Sequence, residues 1–254
     1  MTYCIGLCLD EGLVMLADTR TNAGVDNIST FRKMTVWEKP GERVIALMSA
    51  GNLAVSQGVV NLLNEGIEMA EAEGDGGHGR PLTLMTVPSM FQATRLVGQA
   101  VRQMWEADGA ALEARDESFN VSLILAGQIG NRRMRMFQIY AAGNFIEATT
   151  DTPYFQIGEH KYGKPILDRA VSHDIDLTGA VKLSLVSMDS TTRSNLSVGM
   201  PLDLMVYRKD TLRVAARRRI GADDLYYIDL AQRWSVALKK AFVALPDPPW
   251  LHEL

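Results

Sequence analysis

From Tyr3 to Leu9 the run "YCIGLCL" carries no charged or strongly polar side chain. Tyr3, Ile5, Leu7 and Leu9 alternate onto one side of an extended chain, and Cys4, Gly6 and Cys8 onto the other. A strand with no polar side has no face to give to water, so it is expected to be covered from both directions. That excludes an open sheet with one wet face for this part of the fold. Glu11-Gly12 then separates the run from "LVMLADTRT", a break that predicts a β-hairpin.

The later patterns supply the covering layers. A polar stretch, "NAGVDNISTFRKM", leads to "WEKPGE" with Pro40-Gly41 as a turn, and "RVIALMSAG" reads as a third strand. In "NLAVSQGVVNLLNEGIEMAEAE", Val60, Leu63, Ile67 and Ala70 recur at three- and four-residue intervals and predict a helix. A second long helix is expected from about Pro88-Ser89, with Val97, Ala100, Val101, Met104 and Trp105 as its buried stripe. Four strands follow: "VSLILAG", "MRMFQIY", "NFIEATT" and "YFQIG". Two helices come next, "KPILDRAV", with Pro165 suited to a first turn, and "LTGAVKLSLVSMDSTTR". "LDLMVY" and "LRVAARR" are late strands. A last helix starts near Ala222, with Tyr227, Leu230, Trp234, Leu238 and Phe242 on one side. Two central sheets with helices on both outer faces satisfy this order, an α+β arrangement. Residues 1–245 are read as one domain and 246–254 as a proline-rich tail.

Bulk properties narrow the function classes. Hydrophobic residues make up 47% of 254, enough for a sizeable core, yet no apolar run approaches the roughly 20 residues of a membrane span. The start lacks the basic region of a secretory signal. Cys4 and Cys8 are too close along one strand to bridge easily, which suits reduced thiols in the cytoplasm. The net charge of −4 does not favour nucleic acid. The short clusters "RRMRM" from Arg132 and "ARRR" (Arg217 to Arg219) read as solvated faces or subunit contacts. His78, His160, His173 and His252 are scattered, with no pair at helical metal-ligand spacing, so a transition-metal site is not expected. "GDGGHG" (Gly74 to Gly79) spells a dinucleotide fingerprint, but it follows a helix and no helix opens directly after it. It reads as a loop.

Chemistry concentrates at the start of the chain. Removal of Met1, favoured by the small side chain of Thr2, would put a free α-amine and a hydroxyl on one residue. An α-amine of pKa about 7.7–8.0 is roughly one-seventh neutral at pH 7, so the pair supplies a nucleophile and its own base. Asp18, at the far end of the second hairpin strand, is brought back towards residue 2 by antiparallel pairing. Lys33 follows a loop long enough to return to the same end. A lysine there would favour the alkoxide and lower the amine's pKa, and Asp18 would hold that lysine.

With Thr2, "ADTR", Lys33, "SAGNLAV" and the late "RSNLSVGMPLDLMVY", the chain resembles the proteasome β-type subunits of the N-terminal nucleophile hydrolases. Its "IGEHKYGKPILDRA" and "MDSTTRSNLSVG" segments resemble the bacterial Anbu (ancestral β subunit) branch. The resemblance implies a four-layer αββα sandwich and a threonine peptidase acting on peptides or unfolded proteins without a cofactor. It also implies a homo-oligomeric ring or spiral; processing of folded proteins would need a separate unfoldase. It assigns Thr2 as nucleophile, Asp18 and Lys33 as its charged partners, and the Gly51 N–H as oxyanion donor. Arg20 and Thr21 match positions whose backbone holds substrate, and Ser49, Leu53 and Gln57 match walls of the side-chain pocket. Two departures stand out. Glu159 falls where the family has a serine beside the terminal amine. Ser194 falls where it has an aspartate, with Ser197 matching the later serine and Asp189 the nearest acid. A non-catalytic assembly subunit and an amidase on small or modified amides are the alternative readings.

Overall fold

The computed structural model describes residues 1–22, 28–68, 81–115 and 118–250. The Gly74 to Gly79 loop, Ala70, His78 and His252 lie outside them. In chain order the elements are β1 (Tyr3–Cys8), β2 (Gly12–Asp18), β3 (Arg20–Asn22), β4 (Ile28–Thr30), β5 (Met34–Lys39), β6 (Arg43–Gly51), α1 (Leu53–Glu65) and α2 (Met90–Glu113). There follow β7 (Val121–Ile129), β8 (Arg135–Ile139), β9 (Phe145–Glu147), β10 (Tyr154–Gly158), α3 (Lys164–Ala170), α4 (Leu177–Ser194), β11 (Leu202–Arg208), β12 (Val214–Ile220) and α5 (Leu225–Val243).

Two five-stranded antiparallel sheets form, ordered β10-β1-β2-β11-β12 and β5-β6-β7-β8-β9. The period-2 pattern of β1 explains how they stack. Its Tyr3, Ile5 and Leu7 pack with Leu167, Leu185 and Met188 of α3 and α4. Cys4, on the opposite face, joins Met15, Met48, Ile124 and Met136 between the two sheets. On the far side of the second sheet, Ile45, Leu47, Leu123 and Phe137 meet Val59, Leu63, Val97 and Val101 of α1 and α2. Three apolar seams therefore separate four layers, helix, sheet, sheet and helix, as expected for the αββα sandwich. Burying each such side chain stabilises the fold by about 1.5–3 kcal/mol.

Five details differ from the sequence reading. Strands β4 and β5 were read as polar connection and turn; β5 forms because it pairs along its length with β6, from Met34↔Met48 to Lys39↔Arg43. Helix α1 stops at Gly66, whose backbone turns to positive φ, and Ile67 instead bridges Leu82. Its buried face centres on Val55, Val59 and Leu63 rather than Val60. On α2, Met104 only packs against the core edge and Trp105 is exposed. On α5, Tyr227 is buried and Leu230 partly so, but Leu238 and Phe242 are 50% and 75% exposed. That apolar side is covered by α4 towards the helix start, and among the described residues it is left open towards the helix end.

Candidate active site

The site lies where strand ends of both sheets meet. Antiparallel pairing of β1 with β2 puts Ala17 opposite Cys4, so Asp18 arrives beside the chain start. There the Tyr3 N–H donates to Asp18 Oδ1 at 3.0 Å, and the Gly199 N–H, from the turn before β11, donates to Oδ2 at 3.2 Å. From the other sheet comes Lys33, directly before β5, with its carbonyl accepting from the Ser49 N–H of β6 at 3.0 Å. Both side chains are almost fully buried, and Lys33 Nζ stands 2.7 Å from Asp18 Oδ1.

Lys33 Nζ makes two further bonds, to the Arg20 carbonyl at 2.7 Å and to the Met1 carbonyl at 3.2 Å. The second contact sets the ammonium against the peptide whose nitrogen belongs to Thr2. Thr2 itself is 8% exposed. Its carbonyl accepts from the Glu159 N–H at 2.7 Å. Gly158, just before Glu159, has φ +82, and a Cβ there would overlap the Thr2 carbonyl oxygen. A glycine is therefore required for β10 to come this close to residue 2.

Burial is the main electrostatic force in the site. It raises the Asp18 pKa from its ordinary 3.8, against the pull of Lys33 and of the Tyr3 and Gly199 N–H groups. At the N-terminal amine, carried here by Met1, burial acts in the opposite sense. It lowers the pKa from 8.0, Lys33 adds to the effect, and Asp18 and Glu159 oppose it. A carboxylate held beside a lysine, with a depressed amine nearby, can stabilise an alkoxide and take up a proton near neutral pH.

Gly51 ends β6 at φ +110, where a Cβ would overlap the Asn120 carbonyl oxygen, so glycine is again required. Asn52 caps α1 by accepting from the Ala54 and Val55 N–H groups, which leaves Gly51 exposed one residue ahead of the helix N-terminus. Ser49, Leu53 and Gln57 line one cavity together with Lys33. Arg20 sends its guanidinium to the Leu196 carbonyl at 2.9 Å, tying β3 to the loop after α4. Thr21 follows it with a buried hydroxyl that has no hydrogen-bond partner among the described residues.

The supporting residues gather less well. Glu159 meets Thr2 through its backbone, while its carboxylate sits 3.7 Å from Lys161. Asp189 is bonded to Arg193 Nε at 2.9 Å one turn along α4, and its charge acts on the Tyr227 phenol. Ser194 is exposed at the end of α4, and the Ser197 N–H bonds to the Asn195 side chain. Sequence reasoning missed four contributors: Gly158, Gly199, Asn195, whose Nδ2 is 3.5 Å from Met1 Sδ, and Arg32 on the cavity wall. Only the glycines carried a signal, as small residues inside or just before strands. Among the described residues no cluster of three or more His, Cys, Asp or Glu could hold a metal ion.

No family model and no curated protein matches the chain. Solved structures do. An Anbu (Gly-1) mutant from Hyphomicrobium sp. strain MC1 is 51% identical, with TM-score 0.87, covering 98% of this chain and 99% of that one. Anbu (ancestral beta-subunit) from Yersinia bercovieri is 46% identical, with TM-score 0.85, over 97% and 98% of the two chains. A helical assembly of the Anbu complex from Pseudomonas aeruginosa supplies a third, 44% identical with TM-score 0.87, over 97% and 98%. With this identity along nearly the whole length of each, the chain belongs to the Anbu (ancestral β-subunit) family, a proteasome-like branch of the N-terminal nucleophile hydrolases.

Proposed function

We propose that the chain is a threonine hydrolase of peptide bonds whose nucleophile, Thr2, is exposed by removal of Met1. The observation that carries this reading is the reach of Lys33 Nζ, bonded at once to Asp18 and to the carbonyl of the Met1–Thr2 peptide. Once Met1 is gone, that lysine loses one acceptor and its charge faces the new terminal residue. Thr2 Oγ then attacks the substrate carbonyl carbon, and its proton passes through water to the Thr2 amine. Gly51 donates its N–H to the oxyanion, helped by the positive end of α1. The C–N bond breaks as the amine returns a proton to the leaving group. Water hydrolyses the resulting ester and restores the hydroxyl. Arg20 and Thr21 line the path of the extended substrate, and Ser49, Leu53 and Gln57 hold the side chain before the cleaved bond. Glu159 raises the pKa of the amine, which leaves less of it neutral and free to accept a proton near pH 7.

The active particle is a cytoplasmic homo-oligomer. The relative described as a helical assembly supports this, as does the apolar side of α5 left open towards the helix end. Unfolded chains or peptides are its substrates, and a separate unfoldase would present folded ones. One observation favours a non-catalytic assembly subunit instead: Asp189 is engaged by Arg193, and Ser194 points to solvent, so the supporting acid of the wider family has no evident replacement. A peptide epoxyketone decides between the two, because it needs a hydroxyl and a free amine on the same residue. Adduct formation on Thr2, absent in Thr2→Ala, is the expected result; a processed protein that forms none would be the scaffold.

A further inference from the structure

The cavity beside Lys33, about 380 Å³, is polar on much of its wall and carries an unmatched positive charge. Lys33 is neutralised by Asp18. Arg32, its neighbour on the same wall, is exposed and has no ion-pair partner among the described residues. Ser49, Gln57 and Asn61 surround the space with hydrogen-bonding groups, Leu53 and Val60 supply an apolar flank, and no Asp or Glu among the described residues lines it. Arg32 also lines a second cavity, about 340 Å³, formed with Asp203 and the arginine run of β12. Two arginines of that run are matched, Arg218 with Asp224 at 2.8 Å and Arg219 with Asp203 at 2.9 Å. Arg217, like Arg32, has no such partner among the described residues.

We propose that this hydrolase prefers substrates with an acidic side chain immediately before the cleaved bond, and that Arg32 determines the preference. The inference rests on the hydrolase reading above and names its substrate class. A guanidinium presents paired N–H donors that match a carboxylate. The apolar flank suits the methylenes of glutamate, which reaches further than aspartate. A lysine in the same place would meet Arg32 as a like charge, and a leucine would desolvate polar groups without replacing their hydrogen bonds. Arg217, which lines the second cavity with Arg32, adds to the positive field on that side of Arg32 and helps to draw acidic segments towards it.

The test compares peptide epoxyketones that differ only in the last side chain: glutamate, its neutral isostere glutamine, leucine or lysine. The readout is the rate of Thr2 adduct formation on the processed full chain, followed by intact mass. The glutamate probe is expected to react roughly tenfold faster than the glutamine probe, as expected for one charge-assisted pair of modest strength. Added salt should shrink the advantage. Arg32→Gln should abolish it, Arg32→Lys should recover part, and Arg32→Glu should turn the order in favour of lysine. Arg32 is exposed, so these variants should melt like the parent chain. Equal rates for glutamate and glutamine, or an advantage that survives Arg32→Gln, would overturn the preference and leave the hydrolase standing. Labelling by none of the four probes would instead overturn the hydrolase reading, and the preference with it.

Discussion

Lys33 Nζ and Asp18 Oδ1 lie 2.7 Å apart, with the two side chains 5% and 0% exposed, and they come from different sheets of the sandwich. Two ions taken this far from water are costly to bury, and their attraction roughly offsets that cost only when other donors complete the shell. Tyr3 and Gly199 provide those donors to Asp18. A purely structural contact at this position would be as stable if built from apolar side chains. The pair is therefore better explained by the charge it maintains next to residue 2.

Removing one partner should separate the two roles. Lys33→Met leaves Asp18 buried without its cation and is expected to cost about 3–5 kcal/mol, seen as a lower melting temperature. Adding Asp18→Asn should recover most of that loss, because the uncompensated carboxylate is gone. Epoxyketone labelling should stay at least roughly a hundredfold down in both variants. Labelling within tenfold of the parent in Lys33→Met would show that the lysine is not part of the chemistry.

Proton linkage gives a second expectation. Burial holds the Asp18 pKa above its ordinary 3.8 despite the opposing lysine and N–H groups. A folded-state value above the unfolded one means that protonation favours the fold. This contribution is fully present below the unfolded value and is lost as pH rises through the folded value. Activity runs the other way, since Lys33 needs an ionised partner. The carboxyl carbon of Asp18, followed by NMR, should titrate above 3.8, and labelling should fall on the acid side along the same curve. A midpoint below 3.8 would contradict the assigned dominance of burial.

Gly158→Ala should act on the site through the backbone. At φ +82, with its Cβ set against the Thr2 carbonyl oxygen, the variant is expected to lose roughly 1–3 kcal/mol and to slow labelling as Thr2 shifts. Gly130→Ala is the control. Its φ is +55 but the space around it is open, so it should show only the left-handed penalty of about 1–2 kcal/mol and label at the parent rate. Parent-rate labelling by Gly158→Ala would mean that close approach of β10 is unimportant to the nucleophile.

The assembly proposal predicts a change in size. Leu238 and Phe242 stand on the uncovered end of α5, largely in solvent. Leu238→Glu with Phe242→Glu should leave the melting of the single chain almost unchanged and lower the mass found by light scattering. An unchanged mass would remove α5 from the subunit contacts.

How far these features could be read from sequence follows from the range of the forces behind them. The alternation in β1 announced a strand covered twice, and its two faces do enter two different cores. The approach of Asp18 to Thr2 was legible because hairpin pairing returns residue 18 to residue 2 without needing distant information, whereas Lys33 arrives from the other sheet and only the length of the loop before it pointed there. Strand β5 was not, since its stability comes from β6 rather than from its own mixed composition. The apolar side of α5 was legible as a stripe, but a stripe does not say whether the cover is the chain's own core. Asp189 was matched by proximity in sequence, whereas α4 turns its carboxylate to Arg193. Nothing in the sequence singled out Arg32; only the fold sets it on the wall shared by two cavities.

The most direct test is the intact mass of the purified full chain before and after a peptide epoxyketone. The expected spectrum lacks the mass of Met1 and then gains one adduct, located on Thr2 and missing from Thr2→Ala. A chain that turns over substrate with Met1 still attached, or a processed chain that forms no adduct, would contradict the account.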